Sequence, residues 1–216
     1  SIGSDIASAI PTFLKQPAQV SSFQPLSEGQ GWALVGSRLL RRSINQAWQD
    51  ITPPQAANSQ LLSAFFLDTN QGWSVIQDNT SGRLTFLTTL DAGVSWQATT
   101  LPAIEGFPIA STSLDFINSQ NGWLSLKLSS SSNFSLGVLY KTADGGKSWK
   151  SLPLPAAGAV YFLNADRGWM AGGPAGDKLY ETQDGGAAWQ TVSLASGRDI
   201  ANQSFTSLPV FTTDQD

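Results

Sequence analysis

The apolar positions of this chain fall in short runs separated by polar, glycine-rich stretches, and no long stretch carries the spacing of an amphipathic helix. Such a pattern predicts many short strands. The segment 155–195 shows the arrangement in its shortest form. Ala159 to Leu163 is apolar, Gly168 to Ala171 follows, Lys178 to Thr182 alternates, and Trp189 to Leu194 comes last. Four short antiparallel strands joined by tight turns are expected, the first innermost and the fourth outermost.

The same unit recurs. Phe66-x5-Gly72-Trp73, Phe116-x5-Gly122-Trp123 and Phe162-x5-Gly168-Trp169 are copies of one element, and Gly31-Trp32 is the same element with Phe23 set further upstream. Successive tryptophans stand 41, 50 and 46 residues apart (32 to 73, 73 to 123, 123 to 169), the period of a four-stranded propeller blade. A second pattern follows each of the last three copies: Thr89-x-Asp91-x-Gly93-x-x-Trp96, Thr142-x-Asp144-x-Gly146-x-x-Trp149 and Thr182-x-Asp184-x-Gly186-x-x-Trp189. A worn, shortened copy, Ser43-Ile-Asn45-Gln-Ala47-Trp48, sits in the first unit. All eight tryptophans belong to one of the two patterns.

These residue types suit a turn between strands. A carboxylate after a threonine can accept backbone N–H groups two or three residues on, and the glycine supplies a positive φ. The tryptophan then opens the next strand and covers the hairpin with an apolar ring. The acids Asp91, Asp144 and Asp184 are therefore expected to be structural.

The fold expected is all-β, a β-propeller of four-stranded antiparallel blades with units at about 21–57, 58–107, 108–154 and 155–195. Residues 196–216 read as the start of a fifth blade, since Phe211 begins another lead-in, and the chain is expected to be a piece of a larger propeller. Residues 1–20 are a lead-in able to supply a closing strand. The connections at Pro53 to Gln60, Ala103 to Ser113 and Ala195 to Ser204 are long and irregular. They are expected on the face opposite the box turns, together with the loops between second and third strands, where binding is sought first.

Composition narrows the chemistry. A net charge of −4 leaves no basic face for nucleic acid. With neither Cys nor His, thiol and imidazole catalysis and the usual zinc ligand sets are excluded. No cofactor or metal is expected, and no apolar run is long enough to span a membrane. The start at Ser1, without Met, suggests a processed chain and an extracytoplasmic location, with any signal or anchor segment removed.

The repeated Thr-x-Asp-x-Gly-x-x-Trp pattern resembles the Asp-box, or BNR, repeat over nearly the whole chain. Together with the Gly-Trp elements it looks most like the photosystem II stability and assembly factor propellers and their non-photosynthetic bacterial relatives. The resemblance implies a propeller, but Asp-box propellers include sialidases, xyloglucanases, sorting receptors and assembly factors. A sialidase-like site would need an arginine triad and a tyrosine nucleophile, and Phe107-Pro108-Ile109 lacks the arginine of the corresponding sialidase element. Another glycosidase would need a carboxyl pair; Glu105, Asp177 and Asp199 are the acids left in the connection loops. Arg38, Arg41 and Arg42 form the one basic cluster, resembling in kind the basic patch by which assembly propellers receive a protein. On an alternating strand Arg41 and Arg42 point to opposite faces, so one patch takes Arg38 with only one of them. The function expected is non-catalytic binding of a protein partner as a scaffold or assembly module. The alternative is a carbohydrate-active propeller, either a glycoside hydrolase or a sugar-binding module.

Overall fold

The computed structural model describes residues 19–27, 29–102, 104, 108–129, 136–173 and 178–192. The lead-in 1–18 and the segment expected to open a fifth blade, 196–216, lie outside the described residues. So do the candidate acids Glu105, Asp177 and Asp199. The described part is all-β apart from one 3-10 turn at Pro54–Asn58. No described helix is long and apolar enough to cross a membrane.

Among the described residues sixteen strands form four antiparallel sheets of four. The first sheet holds β1 (Val20–Ser27), β2 (Gln30–Val35), β3 (Arg38–Arg42) and β4 (Gln49–Asp50). The second holds β5 (Ser59–Phe66), β6 (Gly72–Asp78), β7 (Leu84–Thr89) and β8 (Gln97–Thr100). In the third are β9 (Ile109–Phe116), β10 (Gly122–Leu128), β11 (Leu136–Thr142) and β12 (Lys150–Leu152). The fourth contains β13 (Val160–Phe162), β14 (Gly168–Gly172), β15 (Lys178–Thr182) and β16 (Gln190–Thr191). Each sheet is ordered as its strands follow in the chain, which is the meander of a propeller blade. Trp189 stands directly before its strand rather than opening it.

The contacts divide the chain into two compact units, Ser1–Ala103 and Ile104–Asp216. In the first, Trp32, Leu34 and Leu39 of one blade pack with Leu61, Phe66, Ile76, Leu87 and Trp96 of the next. In the second, Trp123 and Leu139 pack with Val160, Phe162, Met170 and Tyr180. The second strands are largely buried because both of their faces are covered, Ser74 and Ser125 lying buried among the apolar residues, and β2 sends Ala33 and Val35 into a separate cluster with Leu40 and Trp48. The fourth strands are largely exposed.

Strand register explains the fixed spacing from Phe to Gly-Trp. Phe66 stands opposite Gly72, Phe116 opposite Gly122 and Phe162 opposite Gly168, and the box threonines Thr89, Thr142 and Thr182 complete the same rows. The phenyl ring lies across the glycine: a Cβ on Gly122 would come within 2.5 Å of the Phe116 ring. A hairpin loop of constant length is the only way to keep the two opposite each other. That loop is itself locked by a side chain two residues after the phenylalanine. Asp68, Asn118 and Asn164 each accept backbone N–H groups from two and three residues on, at 2.7–3.0 Å. An acid or amide at this position in all three copies was the available sequence signal.

Candidate functional site

The box turns share one design. The hydroxyl of each box threonine accepts the N–H of the box glycine at 2.8–2.9 Å and donates to the following carboxylate at 2.8 Å. The carboxylate in turn accepts the backbone N–H four residues on, from Ser95, Ser148 and Ala188 at 2.8–2.9 Å. Asp144 and Asp184 also draw on the N–H three residues on, of Lys147 and Ala187, as expected, whereas the glycine N–H two residues on is taken by the threonine hydroxyl. Gly93, Gly146 and Gly186 have φ of 87°, 93° and 98°, in the left-handed region. The threonines are about 1% exposed, so their hydroxyls need both partners.

Each box tryptophan meets the phenylalanine of its own blade edge-on. Ring centroids lie 6.3 Å apart for Trp96 and Phe66, 6.3 Å for Trp149 and Phe116, and 6.1 Å for Trp189 and Phe162. Trp96 also donates its indole N–H to the Ile51 carbonyl of the preceding blade.

The environment of the box acids suits structure better than catalysis. Hydrogen bonds from the side chain and backbone of Ser95 hold Asp91 down at about 2, and the Ser148 hydroxyl does the same for Asp144. Asp184 is also lowered, chiefly by the Ala188 N–H. An acid so pinned and so depressed carries no proton to give at neutral pH. Asp144→Ala is expected to cost about 1–2 kcal/mol, the modest worth of exposed charge-assisted bonds. Urea unfolding measures it.

The shortened box of the first blade differs in register. Arg42, rather than Ser43, stands opposite Gly31 in the place of the box threonine, and its Nε donates to the Gln46 carbonyl at 3.3 Å. Arg41 pairs with Trp32 in the adjoining row. Arg38 lies at the other end of β3, about 13 Å along the strand. The structure therefore does not gather the three arginines into one patch: Arg41 and Arg42 lie at the box end and Arg38 at the connection end.

At that connection end the first unit has a cavity of about 770 Å³, lined by Ser37, Arg38, Asp50, Thr52, Pro53 and Asn79 among others. Its wall comes from three connections: the β2–β3 turn, the segment with the 3-10 turn, and the β6–β7 hairpin. Arg38 donates from Nη1 to Asp50 Oδ2 at 2.5 Å. The Asp50 Oδ1 accepts both the N–H and the hydroxyl of Thr52, whose oxygen accepts the Leu39 N–H. Burial raises the Asp50 pKa, but the Thr52 and Arg38 bonds outweigh it and the net shift is downward. Asp50 is thus an ionised, fixed anchor that orients Arg38. No lining residue among those described is aromatic. Asp50 and Thr52 escaped the sequence reading because the Asp-x-Thr at the end of β4 is not repeated after the tryptophans of the other blades. Among the described residues no group of acids could hold a metal ion.

No protein-family model and no curated protein sequence matches the chain. Solved structures do. A GH74 xyloglucanase from Xanthomonas campestris is similar with a TM-score of 0.53 and 16% identity, over 83% of this chain and 30% of that one. A protein of unknown function from Dyadobacter fermentans gives a TM-score of 0.50 and 13% identity, over 81% of this chain and 55% of that one. YCF48 bound to D1 peptide matches with a TM-score of 0.42 and 24% identity, over 62% of this chain and 40% of that one. The chain spans less than two thirds of each of these proteins, and the likeness is one of fold. In fold the chain is an array of four-stranded β-propeller blades similar to these solved structures, and its three described box turns share one pattern of hydrogen bonds.

Proposed function

We propose that the chain is a non-catalytic binding module that takes a protein partner as a scaffold or assembly element outside the cytoplasm. The observation that carries this reading is the cavity at the connection end of the first unit, where Arg38 is held ready by Asp50. Its size is that of a site for a peptide segment or small ligand. Its polar groups are Arg38 with its partner Asp50, Asn79 and hydroxyls, alongside Pro53, Pro54, Ala56 and Ala57. Sugar sites use an aromatic ring as a platform, and none stands among the described lining residues. Arg38 is therefore the residue of the cluster assigned to the partner. Arg41 and Arg42 would meet a partner only at the box end.

Two panels test this. A glycan panel, reading bound sugar and released reducing ends together, is expected to be silent; binding or hydrolysis would overturn the proposal. A displayed peptide library is expected to yield binders whose affinity falls about tenfold in Arg38→Ala, roughly 1.4 kcal/mol, with the melting temperature unchanged. Binders indifferent to Arg38→Ala would move the site elsewhere.

A further inference from the structure

The first strand of each blade is an edge strand, so alternate backbone N–H and C=O groups on it have no ladder partner. In the first unit one such pair is satisfied from the preceding blade. Gln24 of β1, opposite Trp32, donates its amide N–H to the Phe66 carbonyl of β5 at 3.1 Å, and its Oε1 accepts the Phe66 N–H at 3.5 Å. That oxygen also takes the Trp32 indole N–H at 2.7 Å. The amide serves both backbone groups because it is donor and acceptor at once.

Asp115 occupies the corresponding place in the second unit. It stands on β9 opposite Trp123, as Gln24 stands opposite Trp32, and accepts the N–H of Phe162 on β13, the counterpart of Phe66. It also accepts the Phe116 N–H. An ionised carboxylate has no hydrogen to offer the Phe162 carbonyl. A neutral one has.

We infer that Asp115 is a protonation-dependent clasp between β9 and β13: in its neutral form its hydroxyl donates to the Phe162 carbonyl as the Gln24 amide donates to that of Phe66. Burial favours that form, raising the Asp115 carboxyl to about 6 against the opposing pull of the two N–H groups. No charged neighbour contributes to the shift. The charged or titratable side chains on the elements around it are Lys127 of β10, Tyr140 and Lys141 of β11 and Tyr161 of β13. Lys141 lies beyond Trp123, its Nζ 5.4 Å from the indole centroid and donating to the Ala165 carbonyl.

The folded-state value lies above the unfolded one. The stabilisation is therefore fully present below about pH 4 and lost as pH rises through about 6. The other carboxyls with resolved shifts, Asp50, Asp78, Asp91, Asp144 and Asp184, are all lowered. Their contributions are lost only at lower pH.

Thermal unfolding of the whole chain between about pH 4.5 and pH 8 tests the clasp. The wild-type melting temperature is expected to fall as pH rises through about 6. Asp115→Asn, which keeps the shape and supplies the amide donor, should remove the fall and melt about 3–6 °C higher at the alkaline end. Asp115→Ala should also lose the pH dependence yet melt below Asp115→Asn, because it relieves the buried charge without making the clasp. A wild-type curve flat through pH 6, or Asp115→Ala equal to Asp115→Asn, would overturn the inference. Should the variants fail to fold, the wild-type carboxyl carbon resonance of Asp115 decides. A midpoint near pH 6 shared with the Phe162 amide supports the clasp, and one below about pH 4.5 sinks it.

Discussion

Gly93→Val is expected to cost about 2–5 kcal/mol, a large part of the stability of a domain this size. Two separate penalties add. The φ of 87° places a β-branched residue in a region that costs roughly 1–2 kcal/mol even for ordinary L-residues. A Cβ there would also come within 2.7 Å of the Ile51 side chain of the preceding blade, and overpacking of that kind costs about 1–3 kcal/mol. The two parts can be separated by adding Ile51→Ala. Urea unfolding of the single and double variants should recover part of the packing cost while the backbone cost persists. A single variant as stable as the wild type would refute the turn geometry.

Phe162→Ala is expected to cost about 3–5 kcal/mol, the range for a buried phenylalanine cut back to alanine. The ring is 2% exposed. It stacks on Trp123 at 3.7 Å with planes 4° apart, meets Trp189 edge-on, and lies across Gly168. Removing it leaves the glycine uncovered and takes the partner from two tryptophans at once. The near-ultraviolet circular dichroism of those indoles should change along with the urea midpoint. A loss below about 1 kcal/mol would mean that the row Phe162, Gly168, Thr182 is not the organising contact of its blade.

The blades were readable because their determinants are local. Thr142, Asp144, Gly146 and Ser148 bond to one another within seven residues, and Phe116 faces Gly122 across one short hairpin. Interactions of that range leave a spacing that three copies make visible. The same locality let the box acids be assigned a structural role before any geometry was known. The detail of the bonding was less readable: spacing alone does not say that Thr142 takes the Gly146 N–H and leaves Asp144 to reach Ser148.

The candidate site was legible only in part. Arg38 was singled out together with Arg41 and Arg42 because they lie close in sequence. Extended backbone separates such neighbours by about 3.3 Å per residue, so β3 carries Arg38 to the connection end and Arg42 to the box row. Asp50, which orients Arg38, comes from the next strand, and the other blades carry Ala98, Ser151 and Thr191 at the same distance after their tryptophans, so no repeat marks it.

By itself the sequence determined the blade: four strands, the locked turn, and the Phe, Gly and Trp positions, since each depends on contacts a few residues long. Only the tertiary structure decided what joins one blade to the next. Ile51 against Gly93, Gln24 on Phe66 and Asp115 on Phe162 each link positions more than 40 residues apart. At that separation the residue supplying the bond is set by which side chain faces a strand's free edge or a bare glycine. No spacing along the chain encodes that.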